Sequence, residues 1–325
     1  MTVDSISVVI CTHDRPVLLA RAARSLAGQR IEPDRMEVII VENGPAAHPD
    51  LAEIRGRYPE WVWLHEPALG LSRARNLGLR HSRGDVIAFL DDDAQAAPDW
   101  AAVLLRVFSE TDFRPSVVGG AVLPIWQDPP PPWLLPPDVD TDDINTHDFP
   151  LIGNFSIVNW GGMQRVAAPD EWFAGANIAF DRKALQQVGG FSAALGRRGH
   201  ATLLGNEESE AARAVCDTTG GQRIYAPDVR VRHLIPADRV KPAWIVRRVV
   251  WQVISDALSR ADVPQVDPGI VAECRARLPS EMHAGFGTDL TEDILNEMDH
   301  VRFRAFVRLQ VEAVKAQLCG QSALP

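Results

Sequence analysis

Val86-Ile87-Ala88-Phe89-Leu90-Asp91-Asp92-Asp93 joins an apolar run of strand length directly to three carboxylates. The run shows no polar alternation, which is the pattern of a strand covered on both faces. Three adjacent carboxylates repel one another, so a cation that neutralises them would explain their concentration at a strand end. Carboxylate, water and phosphate oxygens are the usual surroundings of Mg²⁺ or Mn²⁺. The alternative is a solvated acidic turn that caps the next helix.

Working outward, the chain alternates strand and helix. Residues 6–11 (ISVVIC), 37–41 (EVIIV), a weaker 61–64 and 117–123 read as further strands. Helices are expected over 14–29, with Pro16 in the first turn, and over 49–58, 71–81 and 100–110. This order predicts an α/β fold, a Rossmann-like and mostly parallel sheet with helices on both faces. Ligands of such sheets bind beyond the carboxyl ends of the strands, where the Asp triplet lies. Pro129–Pro132, Pro136 and Pro137 exclude a long helix, so 124–170 reads as a long excursion over one face. Helices at 182–188 and 207–217 and short strands at 223–226 and 229–234 follow. Beyond Lys241 the pattern turns helical, over 242–259 and about 290–318, the latter with Ile294, Met298, Val301, Ala305 and Leu309 on one stripe.

Composition narrows the function. Lys and Arg total 33 against 43 Asp and Glu, a net charge of -10 over 325 residues. No general nucleic-acid binding is expected from such a chain. Cys11, Cys216, Cys274 and Cys319 form no CxxC pair, which argues against a structural zinc site and for a reduced compartment. The amino-terminal MTVDSISVVIC has no basic region before its short apolar run, so no secretory leader is expected. No apolar run is long enough to cross a bilayer.

Two further stretches carry chemistry. Gly70-Leu71-Ser72-Arg73-Ala74-Arg75-Asn76 starts a helix with glycine and two arginines, a pattern that suits an anion; a solvated helix face is the alternative. Gly205-Asn206-Glu207-Glu208 puts two acids in a first turn, either to complement the helix dipole or to supply a general base.

In order, Val8–Pro16 (VVICTHDRP), Val41-Glu42-Asn43-Gly44, Gly70–Gly78, Phe89–Asp93, Phe173-Ala174-Gly175-Ala176-Asn177, Asn206-Glu207-Glu208 and His233-Leu234-Ile235-Pro236 resemble the motifs of family 2 glycosyltransferases of the GT-A fold. The resemblance spans about residues 5–240. Gly119–Trp126 with the Pro-Pro-Trp after it, and Leu195–Gly199, resemble a bacterial polysaccharide-type subgroup. The implied organisation is a catalytic domain at 1–240, with a nucleotide-sugar half at 1–123 and an acceptor half at 124–240, followed by a C-terminal helical extension at 241–325.

The resemblance also implies roles. Thr12, His13, Asp14 and Arg15 would line the base pocket. Glu42, where the family usually has Asp, would meet the nucleobase edge beside Asn43. Arg75 and Asn76 would hold the nucleotide end of the donor. Asp91 and Asp92 would face ribose and sugar. Asp93 would bind a divalent metal, Mn²⁺ or Mg²⁺, with Asp91 and His233 as companions, although a structural histidine is an open alternative. Trp172, Gly175, Ala176 and Asn177 match the acceptor side; burial of Trp172 in the core is equally open. Glu208 would be the base and Glu207 its support.

The implied activity is inverting, metal-dependent transfer from a nucleotide-sugar, a UDP-sugar first among them, to a hydroxyl of a glycan, lipid-linked or small-molecule acceptor. The Gln-x-x-Arg-Trp pattern of processive synthases is absent, so one sugar per encounter is expected. The implied location is the cytoplasm, with contact at the inner face of the membrane if residues 244–254 (WIVRRVVWQVI) form a basic docking patch. Packing on the catalytic domain is the alternative, because the apolar residues surround that helix too fully for surface lying. A sugar nucleotidyltransferase would want a Gly-rich loop after the first strand, where this chain has Thr-His-Asp-Arg-Pro. A sugar-nucleotide-binding protein without turnover would have no use for the intact Asp triplet and Glu pair. A dehydrogenase would want GxGxxG at the same place.

Overall fold

The computed structural model describes residues 3–110, 112–197 and 203–241, and eight helical residues beyond: Trp244, Ile245, Arg247, Arg248, Trp251, Gln252, Ser255 and Ser259. The described strands are β1 (Ile6–Thr12), β2 (Met36–Asn43), β3 (Val62–Glu66), β4 (Val86–Phe89), β5 (Ala94–Ala96), β6 (Pro115–Trp126), β7 (Arg165–Val166), β8 (Ile178–Asp181) and β9 (Gln222–Ile235). The described α-helices are α1 (Pro16–Ala27), α2 (Leu51–Arg57), α3 (Leu71–His81), α4 (Trp100–Phe108), α5 (Arg182–Gln187) and α6 (Glu207–Thr219).

All nine strands share one sheet, in the order β3-β2-β1-β4-β8-β6-β9-β5, with β7 on β9. The first four are mutually parallel, as expected. Their cores are continuous apolar runs, and Ile6, Val8, Val9 and Ile10 of β1 are buried on both faces. The expectation of a mostly parallel sheet needs correction, because the sheet is mixed. β8 lies between β4 and β6 and is antiparallel to both, and β5 and β7 run against β9. The cause is the proline-bearing excursion. It leaves the carboxyl end of β6 and re-enters the sheet from that same edge, so β8 must run backwards. No crossover helix turns the chain round, as a parallel return would require.

The helices cover the sheet through apolar stripes. On α1, Leu19, Ala22, Ala23 and Leu26 are buried at i, i+3, i+4 and i+7. The helix begins at Pro16, whose missing N–H would have no helical partner there. The two short strands expected at 223–226 and 229–234 are one strand, β9, with an irregular register opposite Gly120 and Val122. Gly120 is obligatory at that point, since a Cβ would sit 1.8 Å from the Val229 carbonyl oxygen.

Of the two alternatives for 244–254, the described residues favour packing on the domain. Ile245 and Trp251 are fully buried, and Trp244 stacks on Phe155 at 5.2 Å. Among the described residues no helix is long and apolar enough to cross a membrane. The helix expected over about 290–318 lies outside the described residues.

Candidate active site

The carboxyl ends of β1, β2 and β4 meet where the sequence places its carboxylates. Asp92 is fully buried; its Oδ2 accepts from Thr12 Oγ1 at 2.7 Å, and its Oδ1 lies 2.6 Å from Arg15 Nη2. Arg15 Nη1 donates to Asp93 Oδ2 at 2.9 Å. Thr12 and Arg15 are therefore supports of the Asp triplet, and Arg15 also reaches the cavity described below. β5 explains His233. It pairs Ala94 with His233 of β9, and the Leu234 N–H donates to the Asp93 carbonyl at 2.9 Å. His233 Nε2 then stands 3.1 Å from Asp93 Oδ1. Burial opposes the charge on Asp93, yet His233, Arg15 and Arg239 hold its carboxyl well below the usual range. Burial pushes Asp92 up to about 7 against the pull of Arg15, and Asp93 adds to the rise.

Arg75 is the second node. Its Nη1 donates to Glu207 Oε1 at 2.8 Å, with both side chains buried, and its Nη2 donates to Asp91 Oδ1 at 3.4 Å. The guanidinium carbon lies 5.8 Å from the ring centre of Phe89 and 5.5 Å from that of Phe191. Asn76 fixes Phe191 by a reciprocal pair: its Nδ2 donates to the Phe191 carbonyl and its Oδ1 accepts from the Phe191 N–H, both at 2.8 Å. Gly175 makes the room, because a Cβ there would come within 2.3 Å of Arg75 Nη2. Burial works against the charge of Arg75, but Glu207 and Asp91 outweigh it and strengthen protonation. Burial and the charge of Glu208 push Glu207 up to about 8, against Arg75. Glu208 is half-buried, and among the described residues neither its Oε2 nor that of Glu207 has a hydrogen-bond partner.

The remaining expected residues fall into two groups. His13 Nδ1 lies 2.6 Å from the Asn43 carbonyl oxygen. Asp14 is exposed at a left-handed turn, φ 53. Glu42 is buried and accepts from the His48 N–H. Asn43 bonds the carbonyls of Glu66 and Ala68 and the N–H of Gly70, so it ties β2 to the start of α3. On the other side, Trp172 is half-buried and edge-on to Trp160 at 6.2 Å. Ala176 and Asn177 are core. The Asn177 amide accepts from Trp100 Nε1 and donates to the carbonyls of Ala121 and Val229, which makes it a strut between strands.

A cavity of about 360 Å³ opens beside β1, lined by Thr12, His13, Arg15, Asn43, Arg197, Arg239, Trp244 and Arg247, with Asp238 its one carboxylate among the described residues. Arg197, Arg239 and Arg247 are the residues sequence reasoning missed. Burial and the charge of Arg197 depress the pKa of Arg239, against the pull of Asp93, so an incoming anion would relieve this crowding. A larger groove, about 850 Å³, lies around Glu37, Tyr58 and Trp61 at the opposite end of the strands. The smaller cavity is the candidate site, because it lies at the carboxyl ends, where α/β sheets bind ligands.

Residues 7–162 match the family described as Glycosyl transferase family 2. Glucosyl-dolichyl phosphate glucuronosyltransferase of Haloferax volcanii is 29% identical over 271 residues, covering 80% of this chain and 79% of that protein. The succinoglycan biosynthesis protein ExoM of Rhizobium meliloti is 28% identical over 250 residues, covering 75% of this chain and 71% of that protein. The chain is a glycosyltransferase, similar to family 2 over residues 7–162. A solved mannosyltransferase, PcManGT from Pyrobaculum calidifontis in complex with GDP-Man and Mn²⁺, shares the fold with a TM-score of 0.58 at 18% identity, over 97% of this chain and 86% of that one.

A metal fits this glycosyltransferase in one limited way. Among the described residues no three His, Cys, Asp or Glu side chains converge as a metal cage. Asp93 and His233 do face one another, and a carboxylate with an imidazole suits Mn²⁺. Such an ion commonly takes its other ligands from substrate phosphate and water. Asp91, the other expected ligand, is paired with Arg75.

Two outcomes follow for the glycosyltransferase. Gly175→Ala should push the guanidinium off Glu207 and Asp91 and lower turnover about 10²-fold; a steady-state assay of nucleoside diphosphate release checks this, and unchanged turnover would show that the Arg75 position is dispensable. The second outcome concerns pH. A carboxyl whose folded pKa is raised stabilises the fold below its unfolded value, about 4.3, and that contribution is lost as pH rises through about 8. Glu207→Gln keeps an acceptor for Arg75 and removes the titration. Its urea midpoint should therefore fall less than that of the parent between pH 5 and pH 9, and parallel curves would refute the assignment.

Proposed function

We propose that this glycosyltransferase inverts the anomeric centre in a single displacement, with Glu208 as the base. The carrying observation is the division of labour in the Glu pair. Glu207 is buried and committed to Arg75 through Oε1, whereas Glu208 is half-buried and so open to an acceptor; each keeps an unpartnered Oε2 among the described residues. In the step, the acceptor oxygen forms its bond to the anomeric carbon as the bond to the diphosphate breaks. The electron pair of that bond leaves with the nucleoside diphosphate, and the acceptor proton passes to Glu208. Adjacent residues of a helix project about 100° apart, from roughly 3.6 residues per turn, so the two glutamates cannot share one task. Glu207 keeps the start of α6 fixed to α3 through Arg75.

Donor binding falls to the cavity beside β1, where Arg15, Arg197, Arg239 and Arg247 suit a diphosphate and Thr12, His13 and Asn43 line the nucleoside side. A UDP-sugar remains the first donor to test. A divalent ion held by Asp93 and His233 would supply Lewis-acid neutralisation of the leaving diphosphate. Asp91, the partly exposed member of the triplet, takes the ribose and sugar side, with Arg75 and Asn76 behind it as supports, while the fully buried Asp92 braces Thr12 and Arg15.

The acceptor we propose is a sugar on a lipid carrier, extended one residue at a time at the cytoplasmic face of the membrane. The names of the two relatives support this class: one acts on glucosyl-dolichyl phosphate, and the other serves succinoglycan biosynthesis. Trp172, half-buried beside Gly175 and Trp160, offers an aromatic edge to such a sugar.

The test compares the two glutamates on a panel of nucleotide-sugars with Mn²⁺. Glu208→Gln should reduce turnover by about 10²- to 10⁴-fold and leave nucleoside diphosphate affinity unchanged. Glu207→Gln should act mainly on acceptor KM. If Glu207→Gln abolishes turnover and Glu208→Gln retains it, the roles are reversed.

A further inference from the structure

Asn206, the residue before the Glu pair, has φ 73 and ψ 0 and sits in the left-handed region. Asparagine tolerates that region better than most residues, but such a conformation persists only where its surroundings impose it. The Asn206 side chain does not cap α6. It is held from outside, by the segment at 244–259, whose described residues are helical. Gln252 Nε2 donates to Asn206 Oδ1 at 2.8 Å. Asn206 Nδ2 donates to Ser259 Oγ at 3.2 Å. The Gly205 N–H donates to Ser255 Oγ at 2.9 Å. Residues 252, 255 and 259 follow the i, i+3, i+7 spacing of one helix face. The face is itself braced: Gln252 Oε1 accepts from Arg248 Nη2 at 2.8 Å, and Ser259 Oγ donates to the Ser255 carbonyl at 2.7 Å.

The same segment reaches the donor cavity. Trp244 and Arg247 line it, and Arg239 lies 5.8 Å from the centre of the Trp244 ring. The described residues of 244–259 therefore touch both the nucleotide cavity and the elbow that carries the base.

We propose that the 244–259 segment is a positioning element of the active site, in which Gln252, Ser255 and Ser259 fix the Gly205–Asn206 elbow and so the backbone from which Glu208 projects. The inference rests on Glu208 being the base. It assigns a role in turnover to a stretch outside the matched family region, which ends at residue 162. None of the three residues lines the donor cavity; Gln252 and Ser259 act through Asn206 and Ser255 through Gly205. Their effect belongs in kcat, because a base displaced by about 1 Å loses up to roughly 10² in rate while the donor stays bound.

The experiment uses the full chain and reads two quantities, release of nucleoside diphosphate from a panel of UDP- and GDP-sugars with Mn²⁺, and hydrogen exchange of the amides at 207–210. The Gln252→Ala/Ser259→Ala double variant should lower kcat about 10- to 100-fold, keep donor KM within about two-fold, and speed exchange at those amides. Ser259→Thr keeps the hydroxyl and should match the parent in both readouts. Parental kcat in the double variant overturns the proposal, as does a loss carried by donor KM. A double variant with lost kcat but parental exchange overturns it too, because the elbow has then not moved. A parent chain that turns over none of the donors overturns the functional reading, and this inference with it.

Discussion

The site depends on one buried contact, the guanidinium of Arg75 on the carboxyl group of Glu207. Holding a guanidinium out of water costs several kcal/mol, as does an ionised carboxyl, whose charge burial here opposes up to about pH 8, so the contact is poor evidence of stability in itself. Its worth here is geometric. Arg75 belongs to α3, Glu207 begins α6, and Asp91 follows β4, so one planar side chain fixes three elements that are distant in sequence. The two phenylalanine faces and the bare Gly175 admit a guanidinium and little else. A lysine would bring a point charge to a place shaped for a fork. With Glu207 committed in this way, Glu208 is the acid to which we assign the base.

The second constraint is topological. The chain completes its sheet by returning β8 backwards between β4 and β6, and by running β9 along the whole of β6. That long strand carries His233 past β5 to Asp93. The carboxylates, the histidine and the arginines of the cavity thus converge from the two ends of the catalytic region. Arg15 sits after the first strand, and Arg239 after the last.

Much of this was legible in the sequence, for a physical reason. β1, β2 and β4 are apolar runs closed by turn residues, α1 carries a clean apolar stripe and α4 is apolar almost throughout, so local pattern identified them; α3, which buries Ser72, Arg75 and Gly78 beside Ala74 and Leu79, was marked instead by its glycine start and by Arg83-Gly84 after it. The Asp triplet and the Glu pair announced themselves as like charges placed together. What local pattern does not encode is pairing across the chain. The three-residue β5 is too short to show a period, and the direction of β8 follows from where the excursion ends. Arg75 read as a donor contact because its partner Glu207 is 132 residues away. Asn177 read as an acceptor residue although its amide is spent on the carbonyls of Ala121 and Val229. Arg239 sits outside every motif and Arg247 within the 244–254 stretch read as a docking patch, and only the fold brings them to the cavity.

The central claim is that Arg75 acts through Glu207 and not as an independent donor contact. A double-mutant cycle on turnover with Arg75→Lys and Glu207→Ala, which removes the acceptor altogether, tests it most directly. The account predicts strong non-additivity, with the double variant close to the worse single variant and a coupling above about 1 kcal/mol, as expected for two members of one network. Additive losses, with Arg75→Lys weakening nucleoside diphosphate binding on its own, would contradict it.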